Sequence, residues 1–554
     1  MMLVRKFAFL FTLLSGFLVG IVLLFLLIGS VQSSIASRIF GDTLRYGVIG
    51  NLEVINPLEV SPSDAEQMAV KLLYNGLVTI DETGKIYPDL ADTWAISPDG
   101  RTYTFFLKKG IKWHDGYELT AKDVATTYEL VKSGDTETVI GSIAKDVEVQ
   151  IVGMYEVSFS LKQVNAAFFE LAAIPIIPDH VYANINYSRL VELGDSLSPV
   201  GTGPYKYVRK NGDTVLFVRN GDYFKGVPYI REISLKLFPN YDVAEESLVA
   251  GKIHALAPID SRTVTRLQAV GSVASRLQIS ALTQANNHRV LLFNMQENGS
   301  TQAKVQRVRQ AVAQAINKNE ITSLVNGASE AFGPYDKSSY AYDSTVETLL
   351  PYSPSESAAL LEAEGWKYAY SGALYRSKND SELKITLVYL ENEINKQVAS
   401  QLRSQLEKVG VNLALQGVTS DQLVQNTLPK KEFEMLLFEI HTGSDPDQYG
   451  LWHSSQTVFP GLNLGGYNSV TVDALLEKGR LQTNRDKRLE IYQQFQSEIV
   501  KDAVVIFLYH PAYFEANFDI IERKLPTTIV DPSDRFSQVH TWKLMPGWRN
   551  WQTR

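Results

Sequence analysis

No cysteine occurs among the 554 residues, so structural disulfides and a lipid attached through a thiol are both excluded. Histidine is scarce: the eight are scattered, and His441 and His453 do not make a metal site without further clustered ligands. The chain lacks Gly-x-Ser-x-Gly, Gly-Lys-Ser/Thr and His-Glu-x-x-His as well. A Ser-x-x-Lys at Ser142 to Lys145 is without the Lys-Thr-Gly and Ser-Asp-Asn partners of acyl transfer, and a polar helix or turn accounts for it. These absences argue against an enzyme, and no cofactor is expected. Positive charge is short too, with 53 Lys and Arg against 61 Asp and Glu, a formal charge of −8. Setting aside Arg5 and Lys6 leaves about −10, which disfavours nucleic acid or anionic lipid as a partner. Internal repeats and low-complexity tracts are missing.

What the chain does have begins with Phe7 to Ile28, an uncharged run diluted only by Thr12, Ser15, Gly16 and Gly20. At about 1.5 Å per residue a helix of this length crosses the hydrocarbon core of a bilayer. It is longer than the roughly 7–15 apolar residues of a cleaved signal peptide, so retention as a membrane anchor is the expectation, although the small residues Ser30 to Ser37 would also suit cleavage. Arg5 and Lys6 precede the run and no basic residue follows until Arg38, which places the N-terminus in the cytoplasm and the remainder outside. Ser33 to Gly41 would be a short linker. More than 500 residues then remain, too many for one core, with ordinary apolar, aromatic and charged fractions of 45%, 10% and 21%.

The stretch Tyr74 to Glu129 organises the rest of the chain. Pro98-Asp99-Gly100 sets a turn, and Tyr103, Phe105 and Leu107 then alternate with Thr104, Phe106 and Lys108 as in a half-buried strand. Gly110 and Asp115-Gly116 make further turns, and Thr120 stands three residues before Asp123 at the head of a helix carrying Val124, Tyr128 and Val131. His114 and Asp115 are neighbours in a turn, so their side chains diverge and do not form a base and its orienter. Taken in order, Pro88, Leu90-Ala91, Trp94, Ser97, Asp99-Gly100, Thr102 to Phe105, Leu107-Lys108, Gly110, Trp113 to Gly116 and Leu119 to Ala121 resemble the signature of family 5 extracellular solute-binding proteins, the peptide- and nickel-type receptors of ABC importers. Asn56-Pro57 with Tyr74 to Leu77, Gly201 to Tyr205, Leu291 to Asn294, Val308 to Ile321 and the block from Tyr467 resemble the same family in the same order. By itself Gly201-Thr202-Gly203 is weak evidence for phosphate binding, since no third glycine or helix comes after it, and it reads as structural.

The resemblance implies an α/β receptor of the type II periplasmic-binding-protein fold with two lobes and an inserted subdomain, closing by hinge motion on a solute. Its divisions are expected at 1–41 for anchor and linker, 42–73 with 201–285 and 520–554 for the first lobe, 74–200 for the inserted subdomain and 286–519 for the second lobe. The anchoring helix would replace the lipid tether common in the family. An oligopeptide or other small solute is the expected ligand, ABC permease and ATPase subunits the partners, and the outer face of the cell membrane the location. A sensor or chaperone reusing the fold is the alternative, and a membrane-tethered hydrolase remains because the carboxylates are too numerous for a catalytic pair to be picked out.

For the site, the strand Phe433 to Ile440 running into the polar loop His441 to Tyr449 marks a cleft edge, because ligands in open α/β sheets bind off the carboxyl ends of strands. Peptide-binding members of the family carry a Trp and then Asp-Tyr-x-Asp-Pro here, the first Asp holding the peptide ammonium. Aligned on Asp445-Pro446, that Asp is replaced by Thr442 and the Trp by Ile440. Either Glu439 or Asp445 substitutes for it, or the ligand lacks a free amine; Asp445 and Asp447 could equally just cap a turn. The ligand-contacting candidates are Asn56, Glu439, His441, Thr442, Gly443, Ser444, Asp445 and Trp452. The Gly-, Pro- and Ser-rich stretch Gly327 to Pro354 is expected to border the ligand.

Overall fold

The protein is described by a computed structural model covering residues 43–58, 63–134, 139–183, 185, 198–458 and 461–545. The hydrophobic run Phe7 to Ile28 and the linker Ser33 to Gly41 lie outside these residues. Among the described residues no helix is long and apolar enough to cross a membrane.

Three sheets carry the architecture. The largest has eight strands in the order Thr528–Ile529, Leu277–Gln284, Ala512–Phe518, Ala255–Ile259, Thr43–Ile49, Glu232–Phe238, Thr214–Arg219 and Tyr205–Asn211. Thr43–Ile49 is central and pairs in parallel with Glu232–Phe238 and Ala255–Ile259. Leu44, Tyr46 and Val48 are fully buried, and the helix Asp64–Leu73 covers them with Ala65, Met68, Ala69, Leu72 and Leu73. A six-stranded sheet orders Ser329–Glu330, Val505–His510, Asn287–Phe293, Met435–His441, Lys384–Leu390 and Asn412–Val418. Its two faces are covered by separate cores, one under the helices Gln306–Ala315 and Glu393–Glu407, the other under Val470–Leu481 and Arg485–Asp502.

The third sheet is antiparallel, Ala91–Ile96, Thr102–Leu107, Glu156–Leu161 and Val147–Gly153. Tyr103, Phe105 and Leu107 are buried while Phe106 is exposed, the period-2 pattern of a strand with one wet face. Phe105 meets Phe159 edge-on at 5.6 Å, and Tyr103 lies 4.4 Å from Phe168. The next helix, Ala121–Ser133, starts with a capping box in which the Thr120 N–H donates to Asp123 Oδ2 at 2.7 Å. His114 and Asp115 do diverge. The Gly201 N–H donates to His114 Nδ1 at 3.2 Å and Nε2 donates to the Gly203 carbonyl at 3.1 Å, whereas Asp115 pairs with His180 at 2.7 Å. Burial lowers the His114 pKa to about 4, so the ring is a neutral strut between this unit and the eight-stranded sheet.

The close approach of chain at Gly201 and Gly203 is structural: the Gly203 N–H donates to the Leu73 carbonyl at 2.8 Å, and a Cβ on Gly201 would stand 1.8 Å from that oxygen. The chain leaves the six-stranded sheet earlier than expected. Ala512–Phe518 already pairs with Leu277–Gln284 and Ala255–Ile259, so the crossing falls at Pro511 rather than at residue 520. The tail, which has no sequence motif, then forms short turns at Pro532–Phe536 and Val539–Thr541 and seals the first core with Phe536 and fully buried Trp542. Gly201→Ala is expected to lower stability by about 2 kcal/mol or more, because backbone must move, whereas Gly271→Ala, with open space around it, is close to neutral. Chemical denaturation of the two variants checks this difference.

Candidate ligand-binding cleft

A cavity of about 1320 Å³ opens beside the eight-stranded sheet. Its walls come from separate parts of the chain: the loop Asn56 to Leu58, the helix residues Gln67, Val70 and Lys71, the segments Val78 to Glu82 and Ala173 to Pro175, and much of the tail from Lys524 to Gln538. The six-stranded body contributes Ser444. Asn56 shapes the wall by accepting the Leu58 N–H at 3.1 Å, an Asx turn.

Charged groups in the walls are mostly acidic. Glu66, Asp81, Glu82, Asp89, Glu170, Asp531 and Asp534, seven in all, face four basic residues, Lys71, Lys225, Lys524 and Arg535, so the cavity favours a positively charged group. Several of the acids are already engaged. Asp89 pairs with Lys225 at 2.7 Å and accepts from Asn75, and Asp534 pairs with Lys71 at 3.1 Å. Asp531 caps the turn after it, accepting the Ser533 N–H at 2.7 Å, with its pKa raised by burial and by Asp534. Beneath the wall, Arg535 and Arg523 flank the fully buried Glu515, and Arg535 also donates to the Tyr46 hydroxyl at 3.1 Å.

The loop after Met435–His441 is held rather than free. The Thr442 N–H donates to the Asn286 carbonyl at 2.8 Å, and Asn286 Nδ2 donates to the Gly443 carbonyl at 2.5 Å. Asp445 receives both Arg488 terminal nitrogens, each at 2.5 Å, and its Oδ1 accepts the Asp447 N–H at 2.9 Å. Asp447 pairs with Arg480 at 2.6 Å. Tyr335 donates to the Pro446 carbonyl at 2.8 Å, Gln448 to that of Pro334 at 2.7 Å, and Tyr340 touches Arg488 at 3.2 Å. The stretch Gly327 to Pro354 thus backs the loop and is not among the residues lining the large cavity, where it was expected. Part of it borders a smaller cavity of about 180 Å³ with Lys318, whose pKa burial lowers to about 8.

Of the eight candidates, Asn56 and Ser444 line the large cavity; Glu439, His441, Thr442, Gly443, Asp445 and Trp452 do not. Trp452 is only 2% exposed, in the core beneath the six-stranded sheet, where its Nε1 donates to Gln448 Oε1 at 2.8 Å one helical turn earlier. Neither carboxylate expected to replace the missing anchor is available. Asp445 is neutralised by Arg488, and Glu439 accepts from Arg289, from Asn287 at 2.6 Å and from His441 at 3.2 Å. Burial would raise the Glu439 pKa, but His441, Arg289 and Asn287 together bring it down to about 2.

A site residue that sequence reasoning missed is Glu170, on the short helix Phe168–Ala172. It lines the cavity, and its Oε1 accepts the Asp445 N–H at 2.5 Å, the place where the four-stranded unit touches the loop. Burial, and then the nearby Asp445 charge, raise its pKa to about 7. The signal was a lone acid in an apolar run, Phe168-Phe169-Glu170-Leu171-Ala172.

Two α/β bodies flanking a cleft of this size, with the likeness to solved receptors given below, make this the type II periplasmic-binding-protein fold. The model of bacterial extracellular solute-binding proteins, family 5 (middle), matches residues 85–459, and the chain belongs to that family. It is 29% identical over 485 residues to the oligopeptide-binding protein AppA of Bacillus subtilis, covering 85% of this chain and 86% of AppA. The AppA structure with a nonapeptide superposes with a TM-score of 0.68 at 27% identity, over 91% of this chain and 98% of that one. The substrate-binding protein CtaP of Listeria monocytogenes gives 0.76 at 27%, over 91% and 99%. NikZ of Campylobacter jejuni with Ni(L-His) gives 0.72 at 25%, also over 91% and 99%. The protein is therefore an extracytoplasmic, non-enzymatic substrate-binding protein of an ABC transporter.

The Asp445 to Arg488 pair is nearly buried, with side-chain exposures of 15% and 6%. Asp445→Ala strands the guanidinium and is expected to cost about 3 kcal/mol of stability, whatever ligand is present, with part recovered in Asp445→Ala/Arg488→Met. Thermal unfolding of the ligand-free variants checks this.

Proposed function

We propose that this chain captures oligopeptides between a first lobe built on the eight-stranded sheet and a second built on the six-stranded sheet, the four-stranded unit being the inserted subdomain, and delivers them to an ABC permease. The observation that carries this reading is the cavity: about 1320 Å³ exceeds the roughly 300–1,000 Å³ of a site for a drug-sized ligand, and a chain of several residues fits it. Its position between Asn56 of the first body and Ser444 of the second suits closure by hinge motion. Relatives named as oligopeptide- and dipeptide-binding proteins support the same ligand class. Among the described residues no cluster of His, Asp and Glu could hold a metal ion, so a bare cation is the weaker candidate.

The tether belongs to the proposal as well. Phe7 to Ile28 keeps the receptor on the outer face of the membrane, and exchanging residues 1–41 for a cleavable signal peptide, which preserves export, is expected to release it into the soluble extracytoplasmic fraction. For the ligand, the full-length chain in mild detergent is heated with di- to nonapeptides, their N-acetylated forms, oligosaccharides and Ni²⁺. A peptide at a hundred times its dissociation constant should stabilise the fold by about 2.7 kcal/mol and raise the midpoint. A shift with sugars or Ni²⁺ and none with any peptide would overturn the peptide reading.

A further inference from the structure

The acids in the cavity wall differ in one respect. Asp89 and Asp534 each face a lysine, and Asp81 and Asp531 are held in turns by Thr83 and Ser533. Glu170 is desolvated, yet among the described residues no Lys, Arg or His lies within ion-pair distance of it. Its protein partners are backbone N–H groups of Ser444 and Asp445. The charged groups nearest on the elements packed against it are Asp445 on the loop and Arg488 on the helix Arg485–Asp502, and these two neutralise each other. Arg480 is paired with Asp447, and Arg485 lies over the Tyr340 ring at 4.4 Å, so neither supplies a counter-charge. A partly buried carboxyl that lines the cavity, with hydrogen-bond donors and no cation beside it, is placed to receive one. The acidic excess of the surrounding wall draws positive charge toward it.

We infer that Glu170 is the specificity residue of this cleft, binding an ammonium group of the peptide, either the N-terminus or a lysine side chain, as a carboxylate that gives up its proton to solvent when the ligand enters. The inference rests on the peptide reading of the cleft. Glu170 takes over, from the opposite wall, the role that Thr442 cannot perform. Empty, the carboxyl is largely protonated below pH 7, because burial disfavours its charge. The ammonium restores a counter-ion, the O–H proton passes to the buffer, and the carboxylate keeps its hydrogen bonds to the loop backbone. Because the occupied form is ionised, acid weakens binding: between pH 7.5 and 5.5 affinity should fall roughly 20-fold.

The test uses the full-length chain and the panel peptide that raises its midpoint most. Titration calorimetry at pH 6 in buffers of different ionisation enthalpy counts protons, at a pH where a peptide amine is already charged and takes none up. Close to one proton should be released per ligand bound, and none in Glu170→Gln. At pH 7.5 Glu170→Gln should weaken a free-amine peptide by about tenfold or more while leaving the blocked form unchanged. Three ligands separate the sources: a lysine-free peptide with a free N-terminus, its N-acetylated form, and an N-acetylated peptide containing lysine. Proton release with the free peptide marks the N-terminus, and with the acetylated lysine peptide the side chain. Equal affinity of free and blocked peptides without proton release, or an equal loss of both in Glu170→Gln, would overturn the inference and leave Glu170 as a clasp between the two bodies. No binding of any peptide would instead overturn the peptide reading. Proton counting on the unmodified chain keeps the question open to test even where a variant misfolds.

Discussion

Arg488 lies far along the chain from the loop it controls, on a helix near the end of the six-stranded body, and its two terminal nitrogens close on Asp445. Much of the cleft depends on that contact. It fixes the carboxylate inward, which turns the neighbouring amides of Ser444 and Asp445 toward the four-stranded unit and gives Glu170 something to hold. Tyr340 rests on the same guanidinium, and Tyr335 and Pro334 grip the residues just after Asp445, so a long polar stretch is ordered around one ion pair. A desolvated pair adds little net stability over an apolar substitute, but breaking it is costly, and its value here is positional.

The two sides of the cleft are built on different physics. The six-stranded side presents a loop fastened by hydrogen bonds to Asn286 and by the Arg488 and Arg480 ion pairs. The other side is a patchwork: a helix face, a turn at Asn56 and a tail laid over aromatic rings, with Arg535 stacked among Tyr46, Tyr513 and Phe536. There a carboxylate, Glu515, is enclosed completely between two guanidiniums. The resulting wall combines a rigid base with side chains from several segments, an arrangement in which ligand preference changes without disturbing the sheet below.

How much could be read beforehand depended on whether the signal was local. The strand around Phe105 and the capping box at Thr120 are local patterns, and each formed as the pattern required. The divergence of His114 from Asp115 was legible for the same reason, being a consequence of adjacent residues, whereas Leu73, which Gly201 approaches, lies too far along the chain to be read from spacing. The cavity was not, because segments hundreds of residues apart meet in it and the tail among them carries no motif. Trp452 misled because an aromatic just beyond a strand end resembles a ligand contact; a helical turn of four residues instead carried its indole N–H back to Gln448. Asp445 was picked as a ligand contact, but it does not line the cavity, and its partner Arg488 stood 43 residues away, beyond what spacing reveals.

The sheet order has a bearing on how the molecule is made. Ala512–Phe518 lies between Leu277–Gln284 and Ala255–Ile259, so the larger sheet has a gap in its middle until the last tenth of the chain arrives. Val505–His510 and Asn287–Phe293 join in the same way in the other sheet. Neither body can therefore close while the chain is still emerging, since pairings of such sequence separation wait for both partners.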